Sequence, residues 1–571
     1  MTREPRKSEE HQRSAHTRNR VTGAVAAGTA CLTLITLIAT GTGAAAEESI
    51  SPTSADPVAT PGAAVLRPMA TKWGDDTTGE GKKARAEGVW RANHDEGSAF
   101  TVAKQIGAQK VWRINDPLDR SRNLTGHGVG VALIDTGISP VEGLLTPGKV
   151  VNGPDLSFDS QAPNLTTLDG YGHGTHMAGL IAGRDSTVLP GHEDNVRHFV
   201  GMAPDAKVVN VKVGAADGAV DVSQVIAGID WVVANKARHN IRVLNLSYGT
   251  ESVQASQVDP LAHAVQSAWR AGIVVVVAAG NDGEDGPSRL TMPAIDPFVI
   301  AVGSSNHQGG KNRLDYRFGA WTNSGTAERR PDLLAPGKSL VSLRTPGSIA
   351  DTLHPEGLVK GAVGKRMFRG TGTSQSAAVV SGAVALLMQR NPELTPDQVK
   401  GLLKATADSL RGDSNPSQGG GQLDIDGAVK ALAKGNVPAY TQTFPASTGL
   451  GSLEASRGGS FVVDPVTSEE LRGERDIFGV AWDPATWSTD SRAATAWTGG
   501  MWRGTAWSGA RWAGDDWAAA NWTRRAWTGT DWTRRAWTAD DFLRRAWTED
   551  DWSRRAWTRR AWTSLDASDR R

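Results

Sequence analysis

Gly370-Thr371-Gly372-Thr373-Ser374-Gln375-Ser376-Ala377-Ala378 is the stretch around which the chain is organised. A glycine-rich turn runs into a serine, and an apolar helix, Val379 to Met388, is predicted directly behind it. Glycine tolerates the tight entry, and the small flanking residues let other backbone approach closely. The start of such a helix leaves unpaired N–H groups and the positive end of a dipole beside Ser374. A hydroxyl therefore lies next to a ready site for an anion. Alone, the stretch reads equally well as an ordinary serine cap, so the decision rests on what lies upstream.

From about Ala108 to Gly435 short apolar runs recur as buried strands: Val129–Ile134, Lys207–Val213, Val243–Ser247, Ile273–Ala279 and Phe298–Val302. Helical patterns such as Val222–Ala237 and Pro260–Ala271 sit between them. Strands apolar on both faces and alternating with helices predict an α/β fold, a mostly parallel sheet covered on both sides. Sites in such sheets form at the carboxyl ends of strands, and three polar stretches fall there. Asp135-Thr136-Gly137 closes the run Val131-Ala132-Leu133-Ile134. His173-Gly174-Thr175-His176 follows Asp169-Gly170-Tyr171-Gly172 and opens a small-residue helix. Asn281 stands just past Val275–Gly280. Each has a plain alternative: Asp135 as a strand-end cap, Asn281 as a turn residue, His173 and His176 as a metal pair or as packed side chains.

Together they read differently. Asp135, His173 and Ser374 supply an orienter, a base and a nucleophile, and Asn281 a donor for developing negative charge. The chain order Asp, His, Ser is that of subtilisin. Residues 108–435 resemble a subtilisin-like serine protease, with all three triad motifs and the asparagine motif present in order. The resemblance implies a three-layer α/β fold and hydrolysis of peptide bonds through an acyl-enzyme. The Asn281 side chain and the Ser374 N–H would form the oxyanion hole. It also implies a substrate groove. Val213 to Val220, ending in Gly218-Ala219-Val220, resembles the edge that pairs with substrate backbone, and Ser247-Tyr248-Gly249 the opposite wall. Ala278-Ala279-Gly280 resembles the wall of the primary specificity pocket, and with nothing acidic there an uncharged residue before the cut and broad specificity are expected. His176 is expected to pack structurally, since no Glu stands where a zinc protease needs its base. Calcium commonly stabilises the family, but no ligand set can be matched here, and the chemistry needs no cofactor.

Two departures from the family stand out. Gln375 follows the nucleophile where the family usually has Met, which removes an oxidisable thioether. The segment Ser342 to Arg369 is longer than expected and carries Lys360, Lys365, Arg366 and Arg369; it reads as a surface loop near the cleft.

The rest of the 571 residues divides by composition. The balance of 62 Lys and Arg against 61 Asp and Glu points to no nucleic-acid partner. Basic residues from Arg3 to Arg20, then an apolar run from Val21 to about Thr42 and Ala44-Ala45-Ala46, predict a signal peptide over 1–46 and export. An uncleaved membrane anchor is the competing reading. The sole cysteine, Cys31, lies inside that run, so disulfides are not expected in the mature chain. Residues 47–107 read as a propeptide or a disordered leader and 436–480 as a linker. A repeat with an aromatic every five residues runs from Trp497 to Trp562, joined early by Trp482 and Trp487, and occupies 481–563 before a polar tail, 564–571. Its period fits neither one helix face nor a single strand, where successive Trp would fall on alternate faces. A β-solenoid related to pentapeptide repeats is one arrangement. Such a tail could bind cell-wall glycan or another polymer by stacking, or serve only as packing. A rival reading of the whole chain makes it a cell-surface or wall-binding protein in which the repeats carry the main role.

Overall fold

The computed structural model describes residues 89–506, apart from 162–164, 287, 311, 460 and 463–469. The expected signal segment 1–46, the leader up to residue 88, the repeats from Trp507 onward and the tail 564–571 lie outside the described residues. Among the described residues thirteen strands are formed: β1 Gly130–Asp135, β2 Val150–Asp155, β3 Lys207–Lys212, β4 Ile241–Leu246, β5 Val274–Ala278, β6 Ile300–Asn306, β7 Arg317–Phe318, β8 Leu333–Pro336, β9 Leu340–Leu343, β10 Met367–Gly370, β11 Trp497–Thr498, β12 Met501–Trp502 and β13 Thr505–Ala506. Between them lie the helices α1 Ala99–Gln105, α2 Ala108–Val111, α3 His173–Ala182, α4 Val222–His239, α5 Pro260–Arg270, α6 Ile349–Leu353, α7 Thr373–Arg390, α8 Pro396–Thr406, α9 Ile425–Ala433, α10 Leu453–Ser456 and α11 Pro484–Ala493.

The main sheet has eight strands in the order β2-β3-β1-β4-β5-β6-β7, with β8 also on β6. All pairings are parallel except β6–β7. The expectation from strands apolar on both faces holds: β1 and β5 are buried along their whole length. The two faces separate by strand periodicity. Ile134 and Val211 approach Gly228 of α4, so Leu133 and Asp135 face the other way. On that other face Asn245 of β4 accepts a hydrogen bond from Ser381 of α7 at 2.8 Å. Helices α4 and α5 therefore form one layer and α3 and α7 the other. Local chemistry starts these helices where the sequence puts a cap. Asp221 and Gln224 make a capping box for α4, and Asp259 caps α5 with Pro260 at its first position. Among the described residues, no helix is long and apolar enough to cross a membrane.

The structure departs from the expected boundaries at both ends. Residues 89–107 of the expected leader are part of the fold. Ser98 caps α1, and the buried Asp95 carboxylate accepts from Trp90 Nε1 at 2.8 Å and from Arg369 Nη2 at 2.6 Å. The described residues of the expected linker 436–480 form an arm docked on α4 and α5. Ser447 and Thr448 bond to Gln266 and Gln257, and the fully buried Arg457 donates to Asp221 at 2.6 Å. Ile477 N donates to Ser223 at 2.9 Å. The segment reads as loose because it is poor in apolar residues, yet its polar groups are spent on partners supplied by distant helices.

The first repeats continue this docking. Trp487 and Trp502 are fully buried, and both indoles donate to Asp230 Oδ2 of α4 at 2.9 Å. Ser491 donates to Oδ1 of the same carboxylate at 2.6 Å, and Trp497 donates to the Ala227 carbonyl at 2.7 Å. Trp482 packs against Trp487 and Trp502 with tilted rings, the centroids 4.9 and 6.3 Å away. Successive Trp residues do not alternate between faces here, because the chain reverses at each step. Gly499-Gly500 and Arg503-Gly504 all have positive φ, the pattern of two-residue hairpin turns, and they fold β11–β13 into an antiparallel meander in which Trp497 lies opposite Trp502.

Burial pushes the Asp230 carboxyl up to about 6, against the pull of its three donors and of Arg503. An unfolded aspartate releases its proton near 3.8, so the folded state binds more protons between those values. The resulting stabilisation is full below the unfolded value and is lost as pH rises through about 6. Asp230→Asn is therefore expected to flatten the pH dependence of denaturant unfolding between about pH 4 and 6; an unchanged slope would refute this account.

Candidate active site

Strand β1 has β3 on one side and β4 on the other while the chain winds outward in both directions, so a crevice opens beyond its carboxyl end. Asp135 is the last residue of β1 and is fully buried. His173 is the first residue of α3, also buried, and its Nδ1 lies 2.7 and 2.9 Å from the two Asp135 oxygens. Because the carboxylate accepts, Nδ1 carries the proton and Nε2 is the basic nitrogen of the ring. Two glycines allow the approach. A Cβ on Gly174 would sit 2.1 Å from the Gly137 carbonyl oxygen, and Gly137 itself has φ of 104°. Any side chain at residue 174 would push the first turn of α3 off the end of β1.

A second carboxylate organises this junction. Asp169 Oδ1 accepts from Gly172 N at 2.7 Å and from the Thr136 hydroxyl at 2.8 Å, and Oδ2 accepts from Thr175 N at 2.8 Å. Asp169 thus caps α3 from outside, a task that the formal cap Gly172 cannot perform. Thr136 Oγ1 in turn accepts from Gly174 N at 3.0 Å, and Thr136 N donates to Asp135 Oδ1 at 2.8 Å. Burial pushes the Asp169 carboxyl up from the usual aspartate range, and the Gly172, Thr175 and Thr136 donors oppose it. Lys212, opposite Asp135 across β1 and β3, pairs with Asp159 at 2.6 Å and donates to the Leu168 carbonyl, anchoring the start of the same loop.

Helix α7 supplies the other half of the site. No side chain caps it at Gly372. Instead Asn281, three residues past β5, accepts at its Oδ1 from Thr373 N at 2.9 Å and from the Thr373 hydroxyl at 3.0 Å. With its carbonyl end held this way, the amide end of Asn281 is the one that can donate. Ser374, the next residue, is buried, and its hydroxyl makes no hydrogen bond to the described residues. Helices α3 and α7 pack together. Their first turns meet at Gly370, where a Cβ would lie 2.4 Å from Gln375 Nε2 and 3.2 Å from the His176 ring. Burial first, and His173 second, push His176 down to about 3, so it is held neutral.

The groove residues take the following places. Gly218, with φ of 85°, sits in a turn closed by Ala215 and Ala219. Val220 is buried directly before the Asp221 cap. Ser247 Oγ donates to the Ser374 carbonyl at 3.4 Å, Tyr248 is buried, and Gly249 abuts Thr291. Ala278 ends β5, Ala279 N donates to the Val302 carbonyl, and Gly280 presses on the Asn323 amide. Thr373, Asp169 and Thr136 escaped the sequence reading as participants. A carboxylate four residues before His173 was the available signal for Asp169. Among the described residues no three His, Cys, Asp or Glu side chains converge as a metal site.

Comparison with known proteins agrees with this frame. The subtilase family model matches residues 126–424, just over half of the 571 residues, and the chain belongs to that family. It is 33% identical over 330 residues to the serine protease AprX of Bacillus subtilis (strain 168), covering 56% of this chain and 71% of that one. Subtilisin BL of Lederbergia lenta is 34% identical over 325 residues, with 56% of this chain and 97% of the relative covered. Subtilisin DY of Bacillus licheniformis is 33% identical over 312 residues, covering 54% and 94% respectively. The chain is a subtilisin-like serine protease.

Asp169→Ala would leave two buried N–H groups at the start of α3 without an acceptor, at a cost of about 1–3 kcal/mol each. A lower thermal midpoint and a lower kcat are expected together; full activity at an unchanged midpoint would show that the cap is dispensable.

Proposed function

We propose that the chain is a secreted serine endopeptidase in which Ser374 is the nucleophile, His173 the general base and acid, and Asp135 the residue that orients His173. The observation that carries this reading is the pair of contacts from His173 Nδ1 to the Asp135 carboxylate at the end of β1. The Ser374 oxygen attacks the scissile carbonyl as its proton passes to His173 Nε2, and the carbonyl π pair moves onto oxygen. The Asn281 amide and the Ser374 N–H, at the positive end of α7, receive that charge. Loss of the corresponding asparagine in subtilisin costs about 10²–10³-fold in kcat. Collapse breaks the C–N bond as His173 returns the proton to the leaving amine, and water then releases the acyl group by the same steps. No cofactor enters the chemistry, and structural calcium is left without a ligand set.

Substrate would lie as an extended strand between Gly218-Ala219-Val220 and Ser247-Tyr248-Gly249, held mainly through its backbone. With Ala278-Ala279-Gly280 lining the primary pocket, broad specificity with an uncharged residue before the cut is the reading these side chains support. Export rests on the basic segment and apolar run that open the chain. The inward packing of Trp482, Trp487, Trp497 and Trp502 favours a structural role for the first repeats over a stacking platform.

Mature protein assayed on casein, beside Ser374→Ala and a serine-directed covalent inhibitor, tests the mechanism. Ser374→Ala is expected to lower kcat by about 10⁶-fold, as removal of the equivalent serine does in subtilisin. Hydrolysis that survives both treatments would overturn the assignment. With Gln375 beside the nucleophile, peroxide is expected to inactivate the enzyme more slowly than a relative with Met there; equal rates would refute that.

A further inference from the structure

The segment 344–366 joins β9 to β10, whose residues pair in antiparallel register from Leu340–Gly370 to Leu343–Met367. A short turn would close this hairpin. The longer segment grips both ends of α3 instead. At the start of that helix, the first two N–H groups of α6 donate to the loop that presents His173: Ile349 N to the Gly170 carbonyl and Ala350 N to the Tyr171 carbonyl, both at 3.0 Å. The contact is close enough that a Cβ on Gly172 would lie 2.6 Å from Ser348 Oγ and 3.2 Å from Ala350 Cβ. Ser348, Ile349 and Ala350 are all buried. At the far end, Arg366 makes a two-pronged ion pair with Asp185, at 2.6 and 2.5 Å, three residues past the close of α3. Asp185 is itself tied to Phe199 through N–H and carboxylate contacts of 3.0 and 2.8 Å.

The segment is braced internally between these two grips. Arg344 holds Asp351 through both guanidinium and carboxylate forks, the Gly347 N–H adds a third contact to that carboxylate, and Arg344 Nη1 donates to the Lys365 carbonyl at 2.9 Å. Arg344 N also donates to the Arg366 carbonyl at 2.9 Å. The arginine that sets α6 against the His loop is thereby bonded to the residue that sets the other grip. A surface loop has no need of bidentate pairs at both ends, each of which orders two long side chains. Between the grips, Ser342 of β9 donates to the His176 carbonyl at 2.7 Å, so the helix is contacted along its length.

We propose that residues 344–366 form a strap that positions His173, with Arg366 and Arg344 as positioning residues that act through Asp185 and Asp351. The strap sets the axial placement of α3 against β1, and so the distance and angle at which His173 meets both Asp135 and the nucleophile. Displacement of reacting groups by about 1 Å from a remote change can cost about 10²-fold in rate. Weakening either grip therefore reduces turnover and leaves the groove, on other elements, able to bind substrate. This inference rests on the proposed roles of His173 and Ser374.

The test compares full-length mature enzyme with Arg366→Met, Arg366→Lys and Asp351→Asn on one chromogenic peptide, alongside Ser374→Ala. Active sites are counted with a covalent serine reagent, so that misfolded protein does not enter kcat. Arg366→Met is expected to lower kcat about tenfold to a hundredfold with KM within about twofold, and to shift the acid limb of the kcat/KM profile as the Asp135–His173 alignment changes. Arg366→Lys should recover part of kcat. If Arg366→Met yields no folded protein, Asp351→Asn, which weakens the brace and leaves the Asp185 pair intact, carries the same expectations. A fall in thermal midpoint with kcat per active site and the pH profile unchanged would overturn the strap as a positioning element. If the wild type matches Ser374→Ala, the underlying site assignment fails instead.

Discussion

The distance between two backbones governs this molecule: α3 must come within hydrogen-bonding reach of the end of β1. That approach is set by bare Cα atoms at Gly137 and Gly174, since a methyl group on Gly174 would already overlap a carbonyl oxygen. The other features of the junction hold the helix once it is there. Asp169 ties its first turn to Thr136. The same threonine returns a contact to Gly174, and Lys212 secures the loop before it. Ser374 is positioned by separate means, through the grip of Asn281 on the adjacent Thr373. His173 and Ser374 thus belong to two helices that pack on each other, with α3 held in addition by the segment that joins β9 to β10.

With the sole cysteine at residue 31, no disulfide braces the described fold, and buried polar contacts do much of the ordering. Arg457 with Asp221, Lys212 with Asp159, and Asp332 with Arg329 and Lys400 are all taken out of water. Such pairs add little net stability over apolar residues, but they are strongly unfavourable when only one partner is in place. They therefore discriminate between this arrangement and near neighbours. Asp332 shows the balance: Arg329, Lys400 and Lys404 overcome its burial and bring its carboxyl down to about 2.

The frame of the candidate site was legible because its signals are local. Asp135, His173, Asn281 and Ser374 each sit in a short motif whose glycines are required by close backbone contact, and the apolar strands reveal a sheet covered on both faces. The docked arm was not legible, because its determinants are shared between segments. Asp230 alone looks like a solvated acid on a helix, and Trp487 alone like one more repeat; only in space do they explain each other. The same holds for Arg366, which in the sequence is one of several basic residues in a long loop. The five-residue spacing of Trp suggested alternating faces because a strand was assumed to run on, and the turns at Gly499-Gly500 and Arg503-Gly504 undo that assumption. At the other end, the boundary at residue 107 was set too late, since Ser98 already caps a helix whose buried face includes Val102 and Ala103.

The attachment of Trp487 and Trp502 to Asp230 joins residues 257 and 272 positions apart. Contacts of such separation close large loops and form after the local ones. Along the chain the strands of the main sheet and helices α3 and α7 all precede the arm that covers α4. The protease core thus precedes its own seal, and the outer face of α4 stays open to water until the last turns of the docked segment arrive.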